Sequence, residues 1–437
     1  MEIAHYFFIT ICVASDSGEM EVNMKLSNEL EVDKPIFDKW PYYDENEVIA
    51  LKNVLESKRW GGIFDNSQNE CFEREFADYN GSSYCMSVCN GTSALYIALI
   101  AAGIRAGDEV IVPSLSFIST ATAVTWCGAV PVFVDVDPKT LCIDISSIVD
   151  AVSEKTRAII PVHLWGNVCD MEKVSKIANQ HNLIIIEDCC QAIGASLKDK
   201  KVGTYGIAGV FSFAFNKSAS CGEGGALITN DYELYLKLSR LRNHGRLKSE
   251  SNVHPHIGWN FRMSEFAAAI LRCQLKRLEF QILMKNKNIE YIYKNIKENK
   301  IEWIEPIETI EESVSSPFGL IFKFIPTKSD FIHREEIIKL LKAKGIPIGE
   351  RTVIQLQSNP IYANENIDDY CINRSICRRN GDIDVFVIGQ PLGYEVLLAE
   401  KEKIDYLINS LIEVNKMIIE NNSEMGGKNN GVCIGDM

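Results

Sequence analysis

The chain has 437 residues, 46% of them hydrophobic and 24% charged, with a formal net charge of −14. This is ordinary globular composition, long enough to bury a sizeable core without disulfides or metals. The acidic balance and the lack of a clustered basic run argue against nucleic acid or an anionic membrane surface as a partner.

Residues 6–14 are apolar, but no Lys or Arg precedes them, and no span approaches the roughly 20 apolar residues of a membrane helix. Residues 1–31 are therefore read as an extension, with folded structure opening near Val32. Asp44 has the character of an N-cap for a helix ending near Ser57, with Val48, Leu51, Val54 and Leu55 on one face. From residue 84, apolar runs at 84–88, 109–112, 131–134, 158–162, 183–186 and 209–213 alternate with helical segments. The helical segments are 94–102, 120–127, 171–180 and 233–242. Continuous β-branched runs suit strands covered on both faces. The pattern predicts an α/β fold with a mostly parallel central sheet flanked by helices.

A long helical stretch at 263–297 completes a large domain over residues 32–300. A polar, acidic connection at 305–315 follows. Then come a strand at 320–325, a helix at 334–344, a strand near 384–388 and an amphipathic helix at 399–419. These predict a smaller C-terminal α+β domain over 301–420. The Asn/Gly-rich residues 421–437 read as a disordered tail. The fourteen cysteines include no C-x-x-C pair and no repeated Cys/His spacing, while Cys85, Cys89, Cys189 and Cys190 sit in or beside apolar runs. They are read as reduced core thiols of a cytoplasmic protein, and no metal site is expected.

Three places carry chemistry. Asn90-Gly91-Thr92-Ser93 lies between a strand and an apolar helix, as an anion-binding turn does, or an ordinary helix cap. Asp188 ends the buried run 183–188, where open α/β sheets bind ligands; it is either a cofactor carboxylate or a helix-capping one. Its neighbour Glu187 points to the opposite face, because strand side chains alternate. Lys217 follows the apolar run 210–215 and precedes Gly222-Glu223-Gly224-Gly225. Desolvation there would lower its pKa and fit it for Schiff-base chemistry, although most lysines are surface residues. The order phosphate turn, strand-end Asp, strand-end Lys in one α/β domain matters more than any one of them.

In that order the chain resembles the DegT/StrS-type aminotransferases, which have fold type I of the pyridoxal 5′-phosphate enzymes. The stretches that carry the resemblance are NGTSAL, GDEVIVPSLSF, GAVPVFVDVD, AIIPVHLWG, IEDCCQAIGA, FSF…K…GEGGALIT and GWNFRMSEFAAAILRCQL. The resemblance implies pyridoxal 5′-phosphate as cofactor. Lys217 aligns with the lysine of the internal aldimine and Asp188 with the partner of the pyridine nitrogen. Gln191 aligns with the residue near the 3′-hydroxyl, and Gly91, Thr92, Ser93 and Ser212 with the phosphate cup. Phe117 aligns with the aromatic that stacks on the ring. Asn260 aligns with an asparagine that reaches the neighbouring subunit's phosphate, which implies a homodimer with shared sites.

The implied reaction is transamination of a keto-sugar or keto-cyclitol with glutamate or glutamine as donor, in amino-sugar or aminocyclitol biosynthesis. Relatives that dehydrate the sugar carry histidine where this chain has Lys217. A sugar dehydratase or lyase, and a non-catalytic cofactor-binding regulator, are the alternatives on the same fold. The stretches WPYYDENE, LESKRWGG, FEREFADYNG and TLCID resemble the cyclitol branch, whereas 131–166 fits the sugar branch equally well. The stretch 349–357, GERTVIQLQ, departs from both and leaves the acceptor contacts unassigned.

Overall fold

A computed structural model describes residues 40–246, 252–325, 334–349, 355–363, 374–375, 377, 385–388 and 394–428. The expected N-terminal extension, residues 1–31, lies outside them. In chain order come the helices α1 (Glu45–Ser57) and α2 (Gln68–Asn80), then β1 (Tyr84–Val88), α3 (Gly91–Ala101), β2 (Glu109–Pro113) and α4 (Ser119–Trp126). Next are β3 (Val130–Val134), α5 (Ile145–Ala151), β4 (Thr156–Ile159), α6 (Met171–His181) and β5 (Ile184–Asp188). Two short strands, β6 (Ser196–Leu197) and β7 (Lys200–Lys201), precede β8 (Ala208–Ser212), β9 (Gly225–Thr229), α7 (Tyr232–Arg242) and α8 (Glu265–Glu298). After α8 come β10 (Ile304–Pro306), β11 (Ser313–Val314), β12 (Leu320–Phe324), α9 (Arg334–Ala343) and α10 (Pro360–Ala363). The chain continues through β13 (Arg374–Ser375), β14 (Val385–Ile388), α11 (Tyr394–Leu397) and α12 (Lys401–Lys428).

The central sheet has eight strands in the order β1-β9-β8-β5-β4-β2-β3-β13. Only β9 runs against its neighbours; every other adjacent pair in this sheet is parallel. The expected mostly parallel sheet is what forms, and alternation of side chains along each strand explains why it is buried on both faces. Ile111, Val132, Val134, Ile159, Ile185 and Phe211 join one apolar layer with Phe72 and Phe76 of α2 and Leu271 and Leu278 of α8. Val110, Val112, Phe133, Ala158, Ile186 and Val210 join the other layer, with α3, α4 and α7. Each buried aliphatic side chain contributes about 1.5–3 kcal/mol.

The Asp44 cap is present as a full capping box: its side chain accepts from the first turn and Glu47 reaches back to its backbone. The apolar face expected on α1 is only partly used, since Val54 is buried while Val48 and Leu55 are exposed. α1 docks on α8 instead through Glu47, which pairs with Arg277 and accepts from Gln274 at 2.9 Å.

Beyond α8, β10, β12 and β14 make an antiparallel three-stranded sheet. The polar connection at 305–315 is not structureless: Ser313–Val314 pairs with β6. Residues 355–363 and 374–375 return to the central sheet, where Leu356 and Tyr362 enter its second apolar layer and β13 extends it beside β3. The closing helix continues to Lys428, so residues 421–428 are helical where a disordered tail was expected. Among the described residues no helix is long and apolar enough to cross a membrane.

Candidate active site

The carboxyl ends of β1, β2, β4, β5 and β8 lie on one edge, as a parallel sheet requires, and the candidate side chains stand at or just beyond that edge. Asp188 ends β5 and is 5% exposed. Its Oδ2 accepts from the Thr120 hydroxyl at 2.9 Å and its Oδ1 from the Cys190 amide at 3.1 Å. A carboxylate has about four acceptor positions, so each oxygen keeps capacity for a further donor. Glu187 faces the other way, as alternation predicts, and is fully buried. Its Oε1 accepts from the Tyr205 and Gly206 amides at 2.6 and 2.8 Å. Its Oε2 accepts from the Gly203 amide at 2.8 Å and meets His163 Nε2 at 3.2 Å.

Since His163 Nδ1 accepts from the Cys169 amide at 3.1 Å, Nε2 carries the proton toward Glu187. His163, Glu187 and Cys189 lie close enough to suggest a metal cluster. Both Glu187 oxygens and His163 Nδ1 already accept hydrogen bonds, so hydrogen bonding accounts for how Glu187 and His163 are held.

Lys217 sits beyond β8. Burial lowers its pKa, while the nearby Cys190 and Asp188 act to raise it; desolvation disfavours the ammonium and the neighbours favour it. Its Nζ lies 4.3 Å from the centroid of the Phe318 ring. Asn90 caps α3, its Oδ1 accepting from the Ser93 amide at 2.8 Å. The first-turn amides have no partner within a helix, and the dipole favours an anion at that end. Thr92 Oγ1 lies 2.8 Å from Ser119 Oγ. At Gly91 a Cβ would stand 2.8 Å from Ser212 Cβ and 3.0 Å from Cys190 Sγ. That close approach brings the Gly91–Ser93 turn and Ser212 together beside the Asp188 segment.

Gln191 is buried, its Oε1 accepting from the Trp165 amide at 2.9 Å. Phe117 is 65% exposed, so it is not a core aromatic. Asn260 is exposed, on an isolated antiparallel bridge with Asn243. Of the departing stretch 349–357, residues 350–354 lie outside the described residues. Leu356 docks on the segment after β2, its amide donating to the Ser114 carbonyl at 2.7 Å.

Several residues here escaped sequence reasoning. Thr120 and Ser119 belong to a hydroxyl-rich run just past a buried strand, a signal that could have been noticed. Phe318 and the turn at Trp165, whose φ is 52°, had no local signal. A cavity of about 410 Å³, lined by Arg242, Asn243, Arg246 and Arg262 among others, includes neither Lys217 nor Asp188 in its wall.

The family model described as "DegT/DnrJ/EryC1/StrS aminotransferase family" matches residues 41–379. The chain is 45% identical over 208 residues to a GDP-perosamine synthase of Caulobacter vibrioides, covering 48% of this chain and 56% of that one. It is 41% identical over 263 residues to an L-glutamine:2-deoxy-scyllo-inosose aminotransferase of Streptomyces lividus, covering 57% and 62% of the two chains. These alignments thus span little more than half of either relative's own length. A crystal structure of 3-amino-5-hydroxybenzoic acid synthase superposes with a TM-score of 0.76 at 28% identity, covering 87% of this chain and 98% of that one.

The residues at the strand ends fit pyridoxal 5′-phosphate. A capped helix start and a serine meet where a side chain on Gly91 would obstruct them, as a phosphate cradle requires. A buried carboxylate with spare acceptor capacity suits a protonated ring nitrogen, and a desolvated amine suits an aldehyde.

Proposed function

The chain belongs to the DegT/DnrJ/EryC1/StrS aminotransferase family, and we propose that it moves an amino group from glutamate or glutamine to a keto-sugar or keto-cyclitol. The observation that carries this is the pairing of a desolvated Lys217 with a buried, doubly donated Asp188 at neighbouring strand ends. When bound, pyridoxal 5′-phosphate supplies the electrophilic carbon and the electron sink.

The chain's own residues do the rest. Lys217 would hold the cofactor through Nζ and, when released, carry the proton at that atom, because burial disfavours its ammonium form. Asp188 keeps a proton on the ring nitrogen, and Thr120 and the Cys190 amide fix its carboxylate plane. Gly91, Thr92 and Ser93, with Ser212, hold the phosphate. Phe117 would supply an aromatic face for the ring, and Gln191, oriented by the Trp165 amide, would meet the ring hydroxyl. The exposed position of Asn260 supports its reach into a partner's site, and with it a homodimer. The free thiols of all the described cysteines suit a cytoplasmic setting.

Lysine rather than histidine at 217 favours transamination over sugar dehydration. The relatives named above act on a nucleotide sugar in one case and a cyclitol in the other, and both acceptor classes remain within the proposal.

Incubation with pyridoxal 5′-phosphate followed by borohydride should leave a reduced adduct on Lys217, and L-glutamine or L-glutamate should bleach the yellow holoenzyme. An adduct elsewhere, or colour inert to both donors, overturns the reading. A panel of nucleotide keto-sugars and scyllo-inosose then identifies the acceptor by amine formation.

A further inference from the structure

Two segments flank the Lys217 amine, and one side chain fastens both. Ser218 follows it in the chain, and Phe318 sets its ring centroid 4.3 Å from Lys217 Nζ. Lys285, on α8, donates from Nζ to Ser218 Oγ at 3.0 Å and to the Pro317 carbonyl at 2.9 Å. We propose that Lys285 is a positioning residue for Lys217, tying the turn that bears the reactive amine to the segment that bears the ring beside it. The clamp fixes where the amine stands and keeps water from it. The inference rests on Lys217 being the cofactor-holding residue.

The placement is unusual enough to need an explanation. Lys285 is 1% exposed, in a helix whose buried positions include Leu278, Ile282 and Ile292. A buried amine costs free energy that an aliphatic side chain would not. Burial pushes its pKa down to about 7, and even the neutral amine keeps the two hydrogens that its bonds to Ser218 and Pro317 require. The next residue extends the clamp: Asn286 Nδ2 donates to the Ser315 carbonyl at 2.8 Å and its Oδ1 accepts from Ser315 Oγ at 3.1 Å.

The same crossing segment is gripped from its other side. The Ser316 and Phe318 amides donate to the Gly166 and Trp165 carbonyls at 3.0 and 3.1 Å. Trp165 in turn donates to Gln191 at 2.9 Å. Residues 315–318 are thus held between α8 and the turn after β4, with Phe318 against the amine. A role confined to holding α8 in place predicts lost stability with unchanged amine chemistry. A positioning role predicts altered chemistry at Lys217.

The test compares the apoenzyme with its Lys285→Met and Ser218→Ala variants. The rate at which pyridoxal 5′-phosphate is captured on Lys217 is followed by visible absorption and borohydride trapping across pH. Leu278→Ala, which loosens the same helix elsewhere, serves as the control. Both clamp variants should slow capture at neutral pH by roughly tenfold, as expected for a misplaced reacting group. They should also move the pH midpoint of capture upward, because an amine reached by water holds its proton more tightly. Leu278→Ala should lower Tm and leave rate and midpoint at wild-type values. If Lys285→Met fails to fold, Ser218→Ala decides alone. Wild-type rate and midpoint in the clamp variants, or the same changes in Leu278→Ala, overturn the proposal. If the wild-type protein itself forms no adduct at Lys217, the reading of the site falls first and takes this inference with it.

Discussion

Thr120 and Asp188, 68 residues apart in sequence, are joined by a buried hydrogen bond of 2.9 Å. The hydroxyl donates and the carboxylate accepts, which fixes the plane of the Asp188 carboxylate at the end of β5. Thr120→Val keeps the shape and removes the donor. It should weaken cofactor binding and slow turnover by about tenfold each, near the lower end of the roughly 1.5–3 kcal/mol that a hydrogen bond to a charged group contributes. Asp188→Asn should cost at least about a thousandfold in turnover, with Tm little changed. Absorbance titration with pyridoxal 5′-phosphate and steady-state rates measure both effects.

Gly91→Ala places a methyl 2.8 Å from Ser212 Cβ. Neither atom sits at the end of a flexible chain, so the turn and the strand end must separate. A loss of about 1–3 kcal/mol in stability, the usual scale of overpacking, should accompany weaker cofactor binding. Adding Ser212→Gly removes the obstructing carbon and should return much of the lost stability. A double-mutant cycle by thermal denaturation would show that coupling, and strict additivity would refute the steric account.

Glu187 takes two donors on each oxygen. Glu187→Ala strands three backbone amides and His163 in the interior, and should destabilise the fold by about 3 kcal/mol or more. Chelators should leave the wild-type Tm unmoved, because the carboxylate has no vacant lone pair for an ion. A chelator-dependent Tm would mean that His163, Glu187 and Cys189 bind metal after all.

Lys285 gives stability a pH dependence whose sign is fixed. Its folded pKa is about 7 against an ordinary 10.5, so between those values the unfolded chain binds more protons than the folded one. Stability from this residue therefore rises with pH through that window, and the burial penalty is fully present below about pH 7. Relative to Lys285→Met, the wild type should gain on the order of a few kcal/mol between neutral pH and pH ~10. Urea denaturation of both proteins at several pH values checks it. A gap independent of pH would show that the amine is solvated.

The amino-acid sequence by itself determined six of the eight strands of the central sheet, with β9 and β13 outside its apolar runs. Apolar runs of four to six residues were enough to place β1, β2, β3, β4, β5 and β8. Alternation within 183–188 was enough to aim Asp188 and Glu187 at opposite faces. Such signals are legible because they depend on side-chain periodicity within a few residues. The helix α2, with Phe72 and Phe76 buried, drew no notice because its charged face masks the apolar one.

What only the tertiary structure decided are contacts between distant segments. Thr120 reaches Asp188, Lys285 bridges Ser218 and Pro317, and the turn at Trp165–Gly166 meets residues 316–318. The return of 355–363 to the central sheet belongs with these. No local pattern encodes such meetings, because each partner's own stretch satisfies its helix or strand equally well without the other. A lysine on a helix reads as a solvated charge until the fold buries it, and only the meeting of α8 with the segments at Ser218 and Pro317 gives Lys285 its two partners.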